Sequence, residues 1–148
     1  MPKRILLSGI LFALFGVIIG AFGAHGLQKF VDNGTVTAKQ MQDYETAVRY
    51  QMYHAFALIA LGIMAGLSGP NRGLVFSFRF FICGIFFFSG SLYLIALKTA
   101  CGLGELNWIW PFTPIGGLFF MLGWIFFAIS VWRGKPKQEQ GGRKPEVG

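Results

Sequence analysis

Apolar residues run almost unbroken through four stretches of the chain, at about 5–24, 51–68, 76–98 and 114–132, and polar residues are largely confined to the segments between them. A helix rises about 1.5 Å per residue and the hydrocarbon core of a bilayer is about 30 Å thick, so about 20 apolar residues make one crossing. Three stretches approach that length. The second is shorter, and the residues before it explain why. Ala38, Met41, Tyr44, Val48, Met52 and Ala55 recur every three or four positions while Lys39, Gln42, Asp43 and Arg49 fall between them, which predicts an amphipathic helix running straight into the second span. Thr37 with Gln40 has capping-box spacing and starts that helix near Ala38. Turn residues at Ser68, Gly69, Pro70 and Asn71 end the second span. Thr113 as N-cap with Pro114 at the first helical position opens the fourth, and Arg133 closes it.

Inside hydrocarbon every backbone N–H and C=O must be satisfied within the protein, which four apolar segments of this length do as helices. The expected fold is therefore all-α, an integral membrane four-helix bundle with an amphipathic helical segment before the second span. It occupies one domain, 1–133, followed by a basic tail at 134–148 whose composition predicts disorder. Lys3 and Arg4 before an apolar run, with Ala21 and Gly23 after it, also have the outline of a cleaved signal peptide. The apolar run is longer than such a segment needs, so a retained helix is expected.

Charge gives the orientation. Of 148 residues thirteen are basic and six acidic, a net charge of +7. Lys3, Arg4, Arg72, Arg79 and five residues after Trp132 fall on one side of the predicted topology, against Lys29, Lys39, Arg49 and Lys98 on the other. Nine against four places both termini in the cytoplasm. Trp108, Trp110 and Phe112 then form an outer aromatic belt, and Trp132 marks the inner interface. A basic tail beside a span points to anionic lipid headgroups rather than nucleic acid, for which no recognition motif is present.

Five small residues, Gly9, Ala13, Gly16, Gly20 and Gly23, recur at spacings of four and three along the first span and share one helix face. Helices gain little hydrophobic energy from meeting in lipid, so close contact across small residues is a main source of their association. The stripe predicts a helix-packing face; its partner is another helix of the chain or a second copy. Cys83 and Cys101 are too far apart along one helix to form a disulfide and are expected as free thiols.

His25 ends the first span and His54 opens the second, which puts both toward the outer side. Gln51, Ser89, Ser91, Tyr93 and Thr113 fall at comparable depth, and with the histidines they make a candidate outer polar cluster. A neutral imidazole there serves as a hydrogen-bonded clamp, as part of a small-ligand or headgroup site, or as a haem or metal ligand; two histidines without a third ligand are a weak metal signal. No predicted span carries a carboxylate in its apolar part, which argues against proton-coupled exporters of this size. No phosphate loop, dinucleotide fingerprint, HExxH or nucleophile elbow is present. No metal and no cofactor is expected.

Four segments in order, G-A-F-G-A-H-G at Gly20 to Gly26, Y-Q-M-Y-H-A at Tyr50 to Ala55, F-S-G-S-L-Y at Phe88 to Tyr93 and P-F-T-P-I-G-G at Pro111 to Gly117, resemble the small inner-membrane family known as domain of unknown function 423, the YgdD-like proteins. The resemblance implies a multi-pass protein of the bacterial cell inner membrane with four helices and a retained first helix; it supplies no activity. The expected function is a non-enzymatic structural, interaction or lipid-binding component. The alternative is a small-ligand or redox-cofactor binding protein using the outer cluster.

Overall fold

The computed structural model describes residues 1–69 and 71–133; the tail at 134–148, with its expected disorder and lipid contacts, and Pro70 lie outside the described residues. Four long helices make up the fold: α1 (Pro2–Asp32), α2 (Ala38–Ser68), α3 (Arg72–Leu97) and α4 (Phe112–Arg133), all long and apolar enough to span a membrane. No strand is present among the described residues. They alternate in direction, so the start of α1, the end of α2, the start of α3 and the end of α4 share one end of the bundle. α1 packs chiefly on α2 and α3 chiefly on α4, and the two hairpins meet along α2 and α3.

Helix starts obey local chemistry. Thr37 and Gln40 close the expected capping box at α2, with the Gln40 N–H donating to Thr37 Oγ1 and the Thr37 N–H to Gln40 Oε1. Asn71 caps α3 by accepting the Leu74 N–H at 2.9 Å. Gly69, at φ +80°, reverses the chain between them, a conformation costly for any residue with a Cβ. At α4 the helix begins at Phe112, ahead of the expected N-cap at Thr113.

The largest departure from the sequence-based expectation is at the C-terminal end of α1. Apolar content drops after Ala24, which suggests that the helix ends there and gives way to a long polar loop. Instead the helix continues through a π turn, Gly23–Leu27, and one more α turn, Gln28–Asp32, leaving only 33–37 as the connection. The cause is tertiary. Leu27, Val36, Tyr44 and Ala96 form a buried cluster that covers the end of the bundle, and the extra turns of α1 supply its near wall. α1 and α2 are each 31 residues, about 46 Å at the usual rise, longer than the hydrocarbon core is thick. The amphipathic foot of α2 and the extension of α1 thus pair beyond it or at its edge.

α3 also carries a π turn, Ile85–Ser89. Gly116 of α4 lies directly against it: a Cβ there would collide with the Phe88 backbone nitrogen, so the two main chains are in contact. Further along the pair, Phe120 lies over Gly84 and Phe81 over Gly123, each ring filling the space a Cβ would take. These rings belong to the central core, with Ala57, Leu58 and Ile85.

Candidate functional site

The small-residue stripe of α1 is turned to α2. Cβ atoms built at Gly9, Gly16, Gly20 and Gly23 would meet Ile59, Met52, Val48 and Tyr44 respectively; Ala13 lies on the same helix, half-buried. The neighbour of this face is therefore intrachain. Two of the glycines have a further effect. Gln51 of α2 donates through Nε2 to the Phe12 carbonyl at 2.9 Å, and Tyr44 donates through its hydroxyl to the Ile19 carbonyl at 2.7 Å. The residues four positions after these acceptors are Gly16 and Gly23, in the helical turn where a side chain would stand between α1 and the donor. A Cβ at Gly23 would collide with the Tyr44 ring, and one at Gly16 would lie 3.4 Å from Gln51 Nε2. The antiparallel pair thus repeats one device every seven residues, a glycine that bares a helix carbonyl and an α2 side chain that bonds it.

Gln51 is buried and has a second partner, accepting at Oε1 from the Tyr93 hydroxyl of α3 at 3.0 Å. Tyr93 packs edge-on against Tyr44, with ring centroids 5.3 Å apart. The line from Phe12 through Gln51 to Tyr93 ties three helices together. Ser91 and Thr113 form a separate pair, Oγ to Oγ1 at 2.6 Å, joining α3 to α4. Ser91 also lies 3.0 Å from the Phe88 carbonyl, which can only accept, so Ser91 donates there and Thr113 donates to Ser91.

His54 stands apart from both. Its Nδ1 is 2.8 Å from the Tyr50 carbonyl one turn back, and its Nε2 is 3.3 Å from the indole Nε1 of Trp124. The carbonyl can only accept and the indole can only donate, so this geometry fixes a neutral imidazole with its proton on Nδ1. The ring stacks on Phe120 at 3.4 Å between centroids and 8° between planes. Both nitrogens are engaged and one face is covered.

The seven candidate residues thus do not form one cluster. The structure joins Gln51 to Tyr93 and Ser91 to Thr113, places His54 with Trp124, and leaves His25 exposed in the π turn of α1. Ser89 is fully buried in the π turn of α3, and its hydroxyl has no hydrogen-bond partner among the described residues. Among the described residues no three His, Cys, Asp or Glu side chains group closely enough to hold a metal ion. Sequence reasoning missed Trp124, which looks like one more aromatic of an apolar helix, and the small residues of α4. A signal for the latter was available: Gly116, Gly123 and Ser130 recur every seven positions and are all buried.

Open clefts adjoin these residues: one, of about 270 Å³, is lined by Gln51 and Tyr93 with Phe12 and Gly90, and a larger one borders Ser91 and Tyr93. The larger lies between the C-terminal end of α3 and the N-terminal end of α4, has a volume of about 530 Å³, and is lined by Ser91 and Tyr93 together with Phe87, Leu94, Trp108 and Phe112. Its walls are almost wholly apolar.

A family model described as protein of unknown function DUF423 matches residues 19–117, a stretch that contains all four sequence motifs. The chain is similar to a UPF0382 membrane protein of Staphylococcus saprophyticus, 40% identical over 88% of this chain and 98% of that one. It is similar to the UPF0382 membrane protein YwdK of Bacillus subtilis, 36% identical over 86% of this chain and 95% of the relative. A UPF0382 membrane protein of Haemophilus influenzae is 34% identical over 91% of this chain and 98% of its own. No solved structure matches. With most of its bundle matched by the family model and relatives aligned over nearly their full length, the chain belongs to the DUF423 family of membrane proteins.

Proposed function

We propose that this protein is a non-enzymatic structural component of the bacterial cell inner membrane, with both termini cytoplasmic, whose buried polar side chains fasten its helices to one another. The observation that carries this reading is the pairing of His54: with Nδ1 on the Tyr50 carbonyl, Nε2 on Trp124 and a face against Phe120, the ring has no nitrogen left for a metal or a substrate proton. Gln51 is engaged at both ends of its amide in the same way. In hydrocarbon an unpaired polar group is costly, so such residues are retained where they pair between helices, and each pair contributes about 0.6 kcal/mol on average.

The test is a pair of substitutions. His54→Gln keeps a donor and an acceptor, whereas His54→Leu leaves the Trp124 N–H without its partner. As a clamp, His54→Gln melts within a few degrees of wild type in detergent and His54→Leu well below it, with no visible absorption band in any of the three proteins. A haem band in the wild type that both variants lose would overturn the clamp.

A second reading rests on the cleft at the outer ends of α3 and α4, where the Ser91 and Tyr93 side chains border an apolar space large enough for a small hydrophobic ligand or a redox cofactor. It is tested by identifying what copurifies with wild-type protein and is absent from a Gly90→Phe variant that fills the cleft.

A further inference from the structure

The end of the bundle that holds Met1 and Arg133 is uncompensated in charge. Among the described residues it carries Lys3, Arg4, Arg72, Arg79 and Arg133 and no carboxylate. The four described carboxylates, Asp32, Asp43, Glu45 and Glu105, are at the opposite end, where four basic residues balance them. The two ion pairs among the described residues, Lys39 with Asp43 and Lys98 with Glu105, are also at that opposite end. The tail does not redress this, because 134–148 holds four basic residues against two acidic ones and adds a net two positive charges.

At the charged end, α3 and α4 converge on Gly73, where a Cβ would collide with Ser130 Oγ. Beside this crossing is a groove of about 330 Å³ with two unlike walls. Arg72 and Arg133 provide the charged part; Phe76, Phe126 and Ile129 provide the apolar part. The neutral polar groups nearby are already used, since Asn71 accepts the Leu74 N–H and Ser130 donates to the Phe126 carbonyl. What the groove offers a ligand is therefore two arginine side chains beside an apolar wall.

We propose that this groove binds one anionic phospholipid, with its phosphate held by Arg72 and Arg133 and an acyl chain lying along Phe76, Phe126 and Ile129. Guanidinium groups suit this task because their planar forks meet phosphate oxygens two at a time. The proposal is independent of whether the bundle has an additional ligand in its outer cleft, and it concerns a different end of the molecule.

The test uses the full chain in detergent, with binding of dioleoylphosphatidylglycerol and dioleoylphosphatidylcholine monitored by native mass spectrometry. Phosphatidylglycerol binds more tightly. Each surface arginine contributes about fivefold to binding an anionic headgroup, so Arg72→Gln with Arg133→Gln weakens phosphatidylglycerol about 25-fold, while Lys3→Gln with Arg4→Gln, which removes the same charge outside the groove, weakens it less than about fivefold. Equal binding of the two lipids, or equal loss in the two double variants, overturns the proposal. If the groove double variant melts below wild type, the single variants carry the test, each expected to lose about fivefold. Displacement of the lipid by excess glycerol 3-phosphate as effectively as by phosphatidylglycerol would overturn the acyl-chain half.

Discussion

Three glycines on one face of α1 meet α2 in different ways, and replacing each by alanine separates backbone contact from side-chain contact. At Gly20 the added Cβ would sit 3.3 Å from a Val48 methyl, a neighbour that can give way by a small rotation. At Gly16 it would press on the thioether of Met52, the flexible end of an adaptable side chain. At Gly9 it would lie 2.8 Å from the Ile59 backbone nitrogen and 2.9 Å from the Ala55 carbonyl oxygen, atoms that move only if α2 moves. Alanine gains up to about 1 kcal/mol over glycine in helix propensity. Overpacking costs about 1–3 kcal/mol where the surroundings cannot yield. Gly20→Ala is thus expected to be neutral or stabilising by up to about 1 kcal/mol, and Gly9→Ala destabilising by about 1–2 kcal/mol, with Gly16→Ala between them. At about 2–4 °C per kcal/mol for a chain of this size, the extremes, about 1–3 kcal/mol apart, should differ by about 2–12 °C in a thermal aggregation assay in detergent. The reverse order, or three equal values, would refute the claim that α1 and α2 meet main chain to main chain at Gly9.

Cysteine accessibility and a single hydroxyl deletion probe the topology and the α1–α2 contact. Cys101 is exposed in the connection between α3 and α4, whereas Cys83 is half-buried within α3, so a membrane-impermeant maleimide applied to spheroplasts should label Cys101 alone if both termini are cytoplasmic; labelling only after lysis would reverse the topology. Tyr44→Phe removes the bond to the Ile19 carbonyl while keeping the ring over Gly23, and should cost about 0.6 to 1.7 kcal/mol by melting or denaturant titration; no loss would mean that the bared carbonyl contributes nothing.

The four spans, the capping box at Thr37 and the stripe from Gly9 to Gly23 were legible because each rests on local chemistry: hydropathy over about 20 residues, a two-residue cap, and a spacing of three and four. The C-terminal extension of α1 was not. From Gln28 to Asp32 the chain is polar enough to read as a loop, but it packs beside the cluster of Leu27, Val36, Tyr44 and Ala96, drawn from three helices and the short connection, and its Gln28 side chain donates to Asp32 one turn on. Depth along a helix was legible for the candidate polar residues, but azimuth was not. Gln51 and His54 lie less than one turn apart on α2, yet Gln51 reaches to α1 and α3 and His54 to Trp124 on α4. The π turns add to this, because each inserts one residue into the helical register and rotates the remainder of the helix. Ser89 and Ser91, two positions apart at the end of one such turn, are both buried, and only Ser91 has a hydrogen-bond partner among the described residues.

If the buried polar residues serve to join helices, Gln51 and Tyr93, the pair linking α2 to α3 at 3.0 Å, must be energetically coupled, and a double-mutant cycle measures that coupling. Gln51→Leu, Tyr93→Phe and the double variant are compared with wild type by reversible unfolding in mixed micelles, and the coupling energy is the part of the double effect that the singles do not sum to. A stabilising coupling of about 0.6 kcal/mol is expected, the average for hydrogen bonds between membrane helices, with about 1.7 kcal/mol as the upper end. A coupling of zero, with each single variant as stable as wild type, would show that these side chains do not fasten the bundle.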